Sequence, residues 1–267
     1  MSDPYSDLAA QQKHMQERIA DAMEARCLEP AQKAIRRAYL AGINLSAGAK
    51  ALEMGSGTGH VTEDLLHLAG ATSAIGIEPS PVMVARATEQ FSDNPQLSFE
   101  IGDAKNTGFL DESFDMILMH TLLCHVPQPR EVLAEAHRLL KPGGVLAICD
   151  GDYDTATAQI ADYDPLDQLV RFMINQNVTN LWIMRQISGL LDEFGFRLGA
   201  RKGHSYVAEG GATYFLTVID RGADRMFEEG ILGSETAAAL KKEARDRVDK
   251  NTFFGFMSYV SQIAYKP

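Results

Sequence analysis

Apolar residues recur at four-residue intervals early in the chain: Met15, Ile19, Met23 and Cys27 form one stripe along a predicted helix. Pro30 interrupts the pattern, and a second short helix is expected from residue 31 to about 41, carrying Ile35, Tyr39 and Leu40. From Lys50 the rhythm changes. Short apolar runs at 51–54, 73–77, 97–101, 114–119 and 144–149 alternate with helical periodicity. Val61, Leu65, Leu66 and Leu68 carry that periodicity after the first run, Val84, Ala87 and Phe91 after the second, and Val132, Leu133, Ala136, Leu139 and Leu140 before the last. Strands alternating with helices need crossover connections, which predicts a parallel sheet covered on both faces. Lys141-Pro142-Gly143-Gly144 reads as a helix stop and a tight turn into a strand.

After Cys149 the pattern loosens. Residues 150–164 are acidic and read as a loop. Helical patterns return at 165–175 and 181–194, followed by a weak strand at 197–207. Two further helices are expected at 214–227 and 234–250, the second with Leu240, Ala244 and Val248 on one side. Residues 253–265, rich in aromatic and β-branched side chains, read as a final strand. Two helices then interrupt a terminal hairpin and form a cap. The expected organisation is one α/β domain over 1–267: a helical lid at 1–46, a core of 47–207 plus 253–267, and a helical cap insertion at 208–252.

Composition narrows the classes. The 267 residues are 45% apolar and 23% charged, enough for a sizeable core and too little charge for disorder. Thirty-six acidic residues against 25 basic ones leave a formal net charge of −11. Such a surface repels phosphate backbones and anionic lipid, so neither nucleic acid nor membrane is expected as a partner. Three cysteines (Cys27, Cys124, Cys149) without a Cys-x-x-Cys pair argue against a disulfide scaffold or a cysteine zinc site and fit a reducing compartment. The polar, acidic start MSDPYSDLAAQQKHMQ does not read as a secretory signal, and the longest apolar stretches are four or five residues. A soluble, cytoplasmic protein is expected.

The candidate chemistry sits at Leu52-Glu53-Met54-Gly55-Ser56-Gly57-Thr58-Gly59-His60, where a predicted strand ends, three glycines turn the chain and a helix opens. Glycines let backbone approach a ligand closely, and a helix amino terminus favours an anionic group. A nicotinamide dinucleotide fingerprint, G-x-G-x-x-G, needs glycines at 55, 57 and 60, but position 60 is His60. What stands here is E-x-G-x-G-x-G. Glu78 closes the second run, Gly102-Asp103-Ala104 the third, and Phe114-Asp115-Met116-Ile117 and Leu139-Leu140-Lys141-Pro142-Gly143-Gly144 follow in order.

Over residues 50–150 this series resembles the class I S-adenosylmethionine-dependent methyltransferases. Glu-Pro-Ser at 78–80 and His-x-x-x-x-His-x-Pro at 120–127 resemble the ubiquinone/menaquinone-type small-molecule methyltransferases within them. The resemblance implies a Rossmann-like, doubly wound, mostly parallel seven-stranded sheet, S-adenosylmethionine as cofactor and S-adenosylhomocysteine as its product. It also implies a cofactor site. Gly55, Ser56, Gly57 and Gly59 form its loop, Glu53 braces loop and ammonium, Glu78 takes the ribose hydroxyls, and Gly102, Asp103 and Ala104 take the adenine. Pro79 and Met83 are candidates to flank the adenine, Tyr5 to close over the cofactor, and Met119 and His120 to border it. His60 faces either solvent or the cofactor's carboxylate. The cap at 208–252 departs from the plainest version of the fold.

His120, His125 and Asp152 lie after the fourth and fifth runs, at the rim where open α/β sheets bind ligands, and are candidate catalytic residues. For the histidines the alternative is a structural role, and for the acidic stretch Asp150, Asp152, Tyr153, Asp154 a solvated loop. Phe172, Trp182, Met184, Tyr214 and Phe215 suggest a partly hydrophobic small-molecule acceptor. Arg171 and Arg185 either bind an acceptor carboxylate or lie on the surface. No His and acidic residues form a convincing metal set. The expected activity is methyl transfer to a small molecule through an O, N or C nucleophile; the alternatives are a non-catalytic cofactor-binding regulatory module and a nicotinamide oxidoreductase.

Overall fold

A computed structural model describes residues 3, 5, 6, 8–208 and 211–267. After a short 3-10 turn at Leu8–Ala10 come two helices, α1 (Lys13–Leu28) and α2 (Pro30–Leu40). The alternating region contains β1 (Lys50–Met54), α3 (His60–His67), β2 (Ser73–Glu78), α4 (Pro81–Gln90) and β3 (Leu97–Ile101). It continues through β4 (Phe114–His120), α5 (Pro129–Leu139) and β5 (Leu140–Thr157). The last part is α6 (Pro165–Asn177), α7 (Ile183–Glu193), β6 (Arg197–Val207), α8 (Thr213–Glu228), α9 (Ser234–Asp249) and β7 (Phe256–Tyr265).

Seven strands form one sheet in the order β3-β2-β1-β4-β5-β7-β6. The first five pair in parallel, and β7 runs antiparallel to both its neighbours. β1 and β4 are central and nearly all their residues are buried, which accounts for their continuous apolar runs. Strand order reverses between β1 and β4, so their carboxyl ends open a crevice where such sheets take ligands. Helix starts are set locally. Ser80 Oγ accepts the Met83 N–H at 3.2 Å with Pro81 in the first turn of α4, and Asp164 accepts the Leu166 N–H at 3.1 Å ahead of Pro165 in α6.

Two boundaries differ from the sequence reading. The acidic stretch expected to start a loop at 150 instead continues β5 to Thr157, with Asp150 opposite Val260, Gly151 opposite Tyr259 and Asp152 opposite Ser258. Its backbone groups find partners on a strand about a hundred residues later, and this non-local pairing overrides a polar local composition. The turn at 141–144 is absorbed into the same strand, where the Gly143 N–H donates to the Lys266 carbonyl at 2.8 Å. β6 and β7 make the expected antiparallel pair, with Val207 opposite Phe256 and α8 and α9 between them. α8 packs on α6 and α1, over the carboxyl-end side of the sheet. A separate small cluster of Leu8, Ile19, Ala20 and Met83 forms where α1 rests on α4. Among the described residues, no helix is long and apolar enough to cross a membrane.

Candidate active site

The chain leaves β1 through Gly55, Gly57 and Gly59, all at positive φ (76°, 52° and 87°). A Cβ at any of the three would crowd a neighbouring side chain: 2.7 Å from Leu122 Cδ1 at Gly55, 2.6 Å from Met23 Cε at Gly57 and 2.7 Å from the Phe99 ring at Gly59. The N–H groups of Gly55 and Ser56 both donate to the Ile77 carbonyl at 2.9 Å, which ties the turn to β2. Glu78, at the end of β2, is 5% exposed. Its Oε2 accepts the Gly57 N–H at 3.2 Å and its Oε1 the Ser80 N–H at 3.1 Å. Burial pushes this carboxyl up to about 7, and the two backbone donors hold it from rising further.

Behind the turn lies a cavity of about 20 Å³ bordered by Glu53, Ser56, His60, His120, Met23 and Arg26. Glu53 is buried within β1 and accepts the Thr62 hydroxyl of α3; burial pushes its carboxyl well up. Ser56 Oγ is buried without a hydrogen-bond partner. His120 Nδ1 lies 3.0 Å from the Tyr39 hydroxyl. Burial, then Arg36 and Arg26, push this imidazole well below its ordinary value, so it is neutral. His60 is half-buried beside Phe91 and Gln90, and burial lowers it as well.

In front of the turn is a larger cavity of about 320 Å³. Gly55, Glu78, Pro79, Gly102, Asp103 and Ala104 line it from the strand ends, and Tyr5, Leu8, Met23, Leu122 and His125 close it from above. Asp103 sits on the rim, its Oδ1 accepting the Lys105 N–H at 2.9 Å. Four of the sequence-derived cofactor residues stand outside these linings: Gly57, whose N–H donates to Glu78, and Met83, Met119 and Gly59. Met83 is fully buried among Leu8, Ile19 and Ala20, and Met119 is fully buried in the main core; both fill volume. Gly59 serves as the left-handed N-cap of α3.

A third cavity, about 60 Å³, adjoins the second and is lined by Tyr5, Arg26, His125, Tyr153, Tyr214 and Arg221, with aliphatic residues of α6. His125 borders both. Its Nδ1 is 2.8 Å from Asp3 Oδ2, and its ring stacks on Tyr5 at 4.5 Å between centroids. Asp3 Oδ2 also accepts the Thr179 N–H at 3.1 Å and its hydroxyl at 3.0 Å. His120 does not border this cavity, and neither does Asp152, whose carboxylate accepts Arg185 Nε at 3.0 Å. Arg185 also meets Asp154, and Arg171 pairs with Asp167. Both arginines are about half exposed, so the surface alternative holds. Of the expected roof residues, Tyr214 reaches the lining; Met184 and Phe215 are core, and Trp182 is half exposed. Asp3, Leu122 and Arg221 carried no sequence signal, and Met23 was legible only as part of the apolar stripe of α1. Arg26 carried one: three residues after Met23, it places a charge on the apolar face of α1. Among the described residues, no group of three or more His, Cys, Asp or Glu side chains is placed to hold a metal ion.

Residues 52–148 match the family described as Methyltransferase domain. Demethylmenaquinone methyltransferase of Tropheryma whipplei is 35% identical over 115 residues, covering 43% of this chain and 47% of that protein. The chain spans about half the length of the first curated relatives it matches. Among solved structures, phosphoethanolamine N-methyltransferase 2 of Haemonchus contortus in complex with S-adenosylmethionine has a TM-score of 0.62 at 16% identity, covering 98% of this chain and 60% of that one. The cyclase SpnF has a TM-score of 0.62 at 18% identity, covering 100% and 97%. One fold thus hosts different chemistries, and function is argued from the site. In sequence over its central strands, where residues 52–148 match the methyltransferase domain family, and in fold over nearly its whole length, the chain resembles the class I S-adenosylmethionine-dependent methyltransferases.

Proposed function

We propose that the protein transfers a methyl group from S-adenosylmethionine to a small molecule. The observation that carries this reading is Glu78, a buried carboxyl held by two backbone N–H groups between a three-glycine turn and a cavity of about 320 Å³. The residues fit the cofactor. The three glycines of the turn carry no side chain to block a close approach, Ser56 Oγ is buried and lacks a partner among the described residues, and two buried carboxyls, Glu53 and Glu78, offer acceptors for an ammonium and for hydroxyls. On this reading Glu78 holds the ribose and Gly102, Asp103 and Ala104 the adenine, while Glu53, Ser56 and the neutral His120 border the methionine part. When bound, the cofactor supplies an electrophilic methyl on a good leaving group.

The chain's own task is then positioning. Effective molarity from alignment alone supplies about 7–11 kcal/mol of barrier reduction. Tyr5, His125 and Tyr214 border the neighbouring cavity. His125, with Nδ1 engaged by Asp3, keeps Nε2 for a proton from an O or N nucleophile and is the candidate base. A separate cavity beside the cofactor side favours an enzyme over a binding module. Residues 1–46 then act as lid and 208–252 as cap on one domain. The free, buried thiols of Cys27, Cys124 and Cys149 suit a reducing cytoplasm.

Titration calorimetry with S-adenosylhomocysteine tests the reading. Binding is expected, and Glu78→Ala weakens it by about tenfold to a hundredfold, the range for hydrogen bonds to a charged group, while circular dichroism is unchanged. Absence of heat with the unmodified protein at millimolar ligand would sink the proposal.

A further inference from the structure

Among the described residues, Arg26 and Arg221 line internal cavities and meet no acidic partner. Elsewhere Arg36 pairs with Asp64, Arg86 with Asp21 and Glu24, and Arg247 with Asp164 and Glu243. Among the described residues, Arg26 donates to the Thr121 hydroxyl at 3.1 Å and Arg221 to the Tyr5 hydroxyl at 3.4 Å, and neither meets a carboxylate. Both line the cavity of about 60 Å³, and both line an adjoining one of about 40 Å³ between α1 and α8. Acids on the surrounding segments are engaged: Asp3 by His125 and Thr179, Glu29 by the Tyr206 hydroxyl and the Tyr214 N–H, and Asp150 by the Cys124 and Gly151 N–H groups. Although the chain has a net charge of −11, two cations on one wall meet no carboxylate among the described residues.

A guanidinium drawn away from bulk water is costly unless an anion meets it, and its planar fork fits a carboxylate at two points. The rest of the wall suits the remainder of such a ligand. Met173, Ile174 and Val178 are apolar, and Tyr5, Tyr153 and Tyr214 present rings. Burial pushes the Tyr214 phenol up to about 12 and raises that of Tyr153 well above its ordinary value, so both keep an O–H to donate.

We propose that the methyl acceptor is a small carboxylate on an apolar or aromatic body, its charge held by Arg221 of α8 and Arg26 of α1. This rests on the methyltransferase reading above. Arg26 also borders the cavity behind the glycine turn, so its loss acts on both ligands. Arg221 borders neither cofactor-side cavity and is the specificity-determining residue.

The test is calorimetric titration of matched pairs (benzoate and benzamide, phenylacetate and phenylacetamide) and of phenyl phosphate, each with and without S-adenosylhomocysteine. The carboxylates are expected to bind about tenfold or more tightly than their amides. Arg221→Gln is expected to erase that preference and Arg221→Lys to keep part of it. Equal binding of acid and amide, a preference that survives in Arg221→Gln, or no heat from any of the acids would each overturn the proposal. Tighter binding of phenyl phosphate would replace the carboxylate by a phosphomonoester. Because the acids are also titrated alone, failure of S-adenosylhomocysteine to bind removes the methyltransferase reading while the carboxylate preference is still measured.

Discussion

At the scale of single residues, Glu78 couples ligand binding to pH. Burial raises its folded value from 4.5 to about 7, so between those two pH values the folded chain holds a proton that the unfolded chain releases. The stability tied to this group is complete below about pH 4.5 and is lost as pH rises through 7. The ceiling on that loss is on the order of 3 kcal/mol, from about 1.4 kcal/mol per unit. Chemical denaturation across this window should show the decline in the unmodified protein and a flatter profile in Glu78→Gln. A second consequence has the opposite sign. Ligand hydroxyls donate to the ionised carboxylate, so affinity for S-adenosylhomocysteine is expected to fall as pH drops below 7 and to lose that dependence in Glu78→Gln. A pH-independent dissociation constant in the unmodified protein would contradict the ribose role.

At the scale of elements, the glycine turn and α1 are built against each other. Gly57 combines φ of 52° with a Cβ position that would lie 2.6 Å from the flexible end of Met23. Gly57→Ala is therefore expected to cost about 1–3 kcal/mol, a loss of several degrees in melting temperature for a chain of this size. Adding Met23→Ala relieves the steric part and leaves the backbone strain, so the double variant should recover only part of the loss; full recovery would show the φ requirement to be unimportant. The glycines, Glu53, Glu78 and Asp103 were legible in the sequence because each is a local pattern at a strand end, and parallel strands announce themselves by apolar runs. Met83 and Met119 were not, since a methionine next to a motif looks the same whether it lines a cavity or fills a core. Arg171, Arg185 and Asp152 were misleading for a related reason. Charge near a predicted rim carries no information about its partner, and the partners here are Asp167, Asp152 and Arg185 themselves. Arg221 and Asp3 belong to the site through contacts with residues far along the chain, to which no local pattern points.

At the scale of the molecule, the cofactor-side cavity is closed by segments distant in sequence and joined by a few polar contacts. Asp3 binds His125 after β4 and Thr179 after α6; Tyr5 stacks on His125 and meets Arg221 of α8. Arg86 of α4 holds α1 through Asp21 and Glu24, and Arg26 of α1 meets Thr121. Such contacts are individually weak where exposed, and among the described residues only a small apolar cluster around Leu8, Ile19, Ala20 and Met83 backs this cover, so it opens at lower cost than the sheet beneath it. A ligand that fills the cavity from Gly55 to Tyr5 binds the covered state and should stabilise it. Hydrogen exchange is thus expected to slow on addition of S-adenosylhomocysteine across 8–28 and 121–126, with β1 and β4 protected both before and after. Asp3→Asn removes the charged acceptor shared by His125 and Thr179 while keeping its shape. Stopped-flow measurement should then show ligand release accelerated several-fold with association little changed, because the latch acts after entry. If exchange over α1 is indifferent to ligand, or Asp3→Asn alters association instead of release, the amino-terminal segment is a fixed wall and entry to the cavity lies elsewhere.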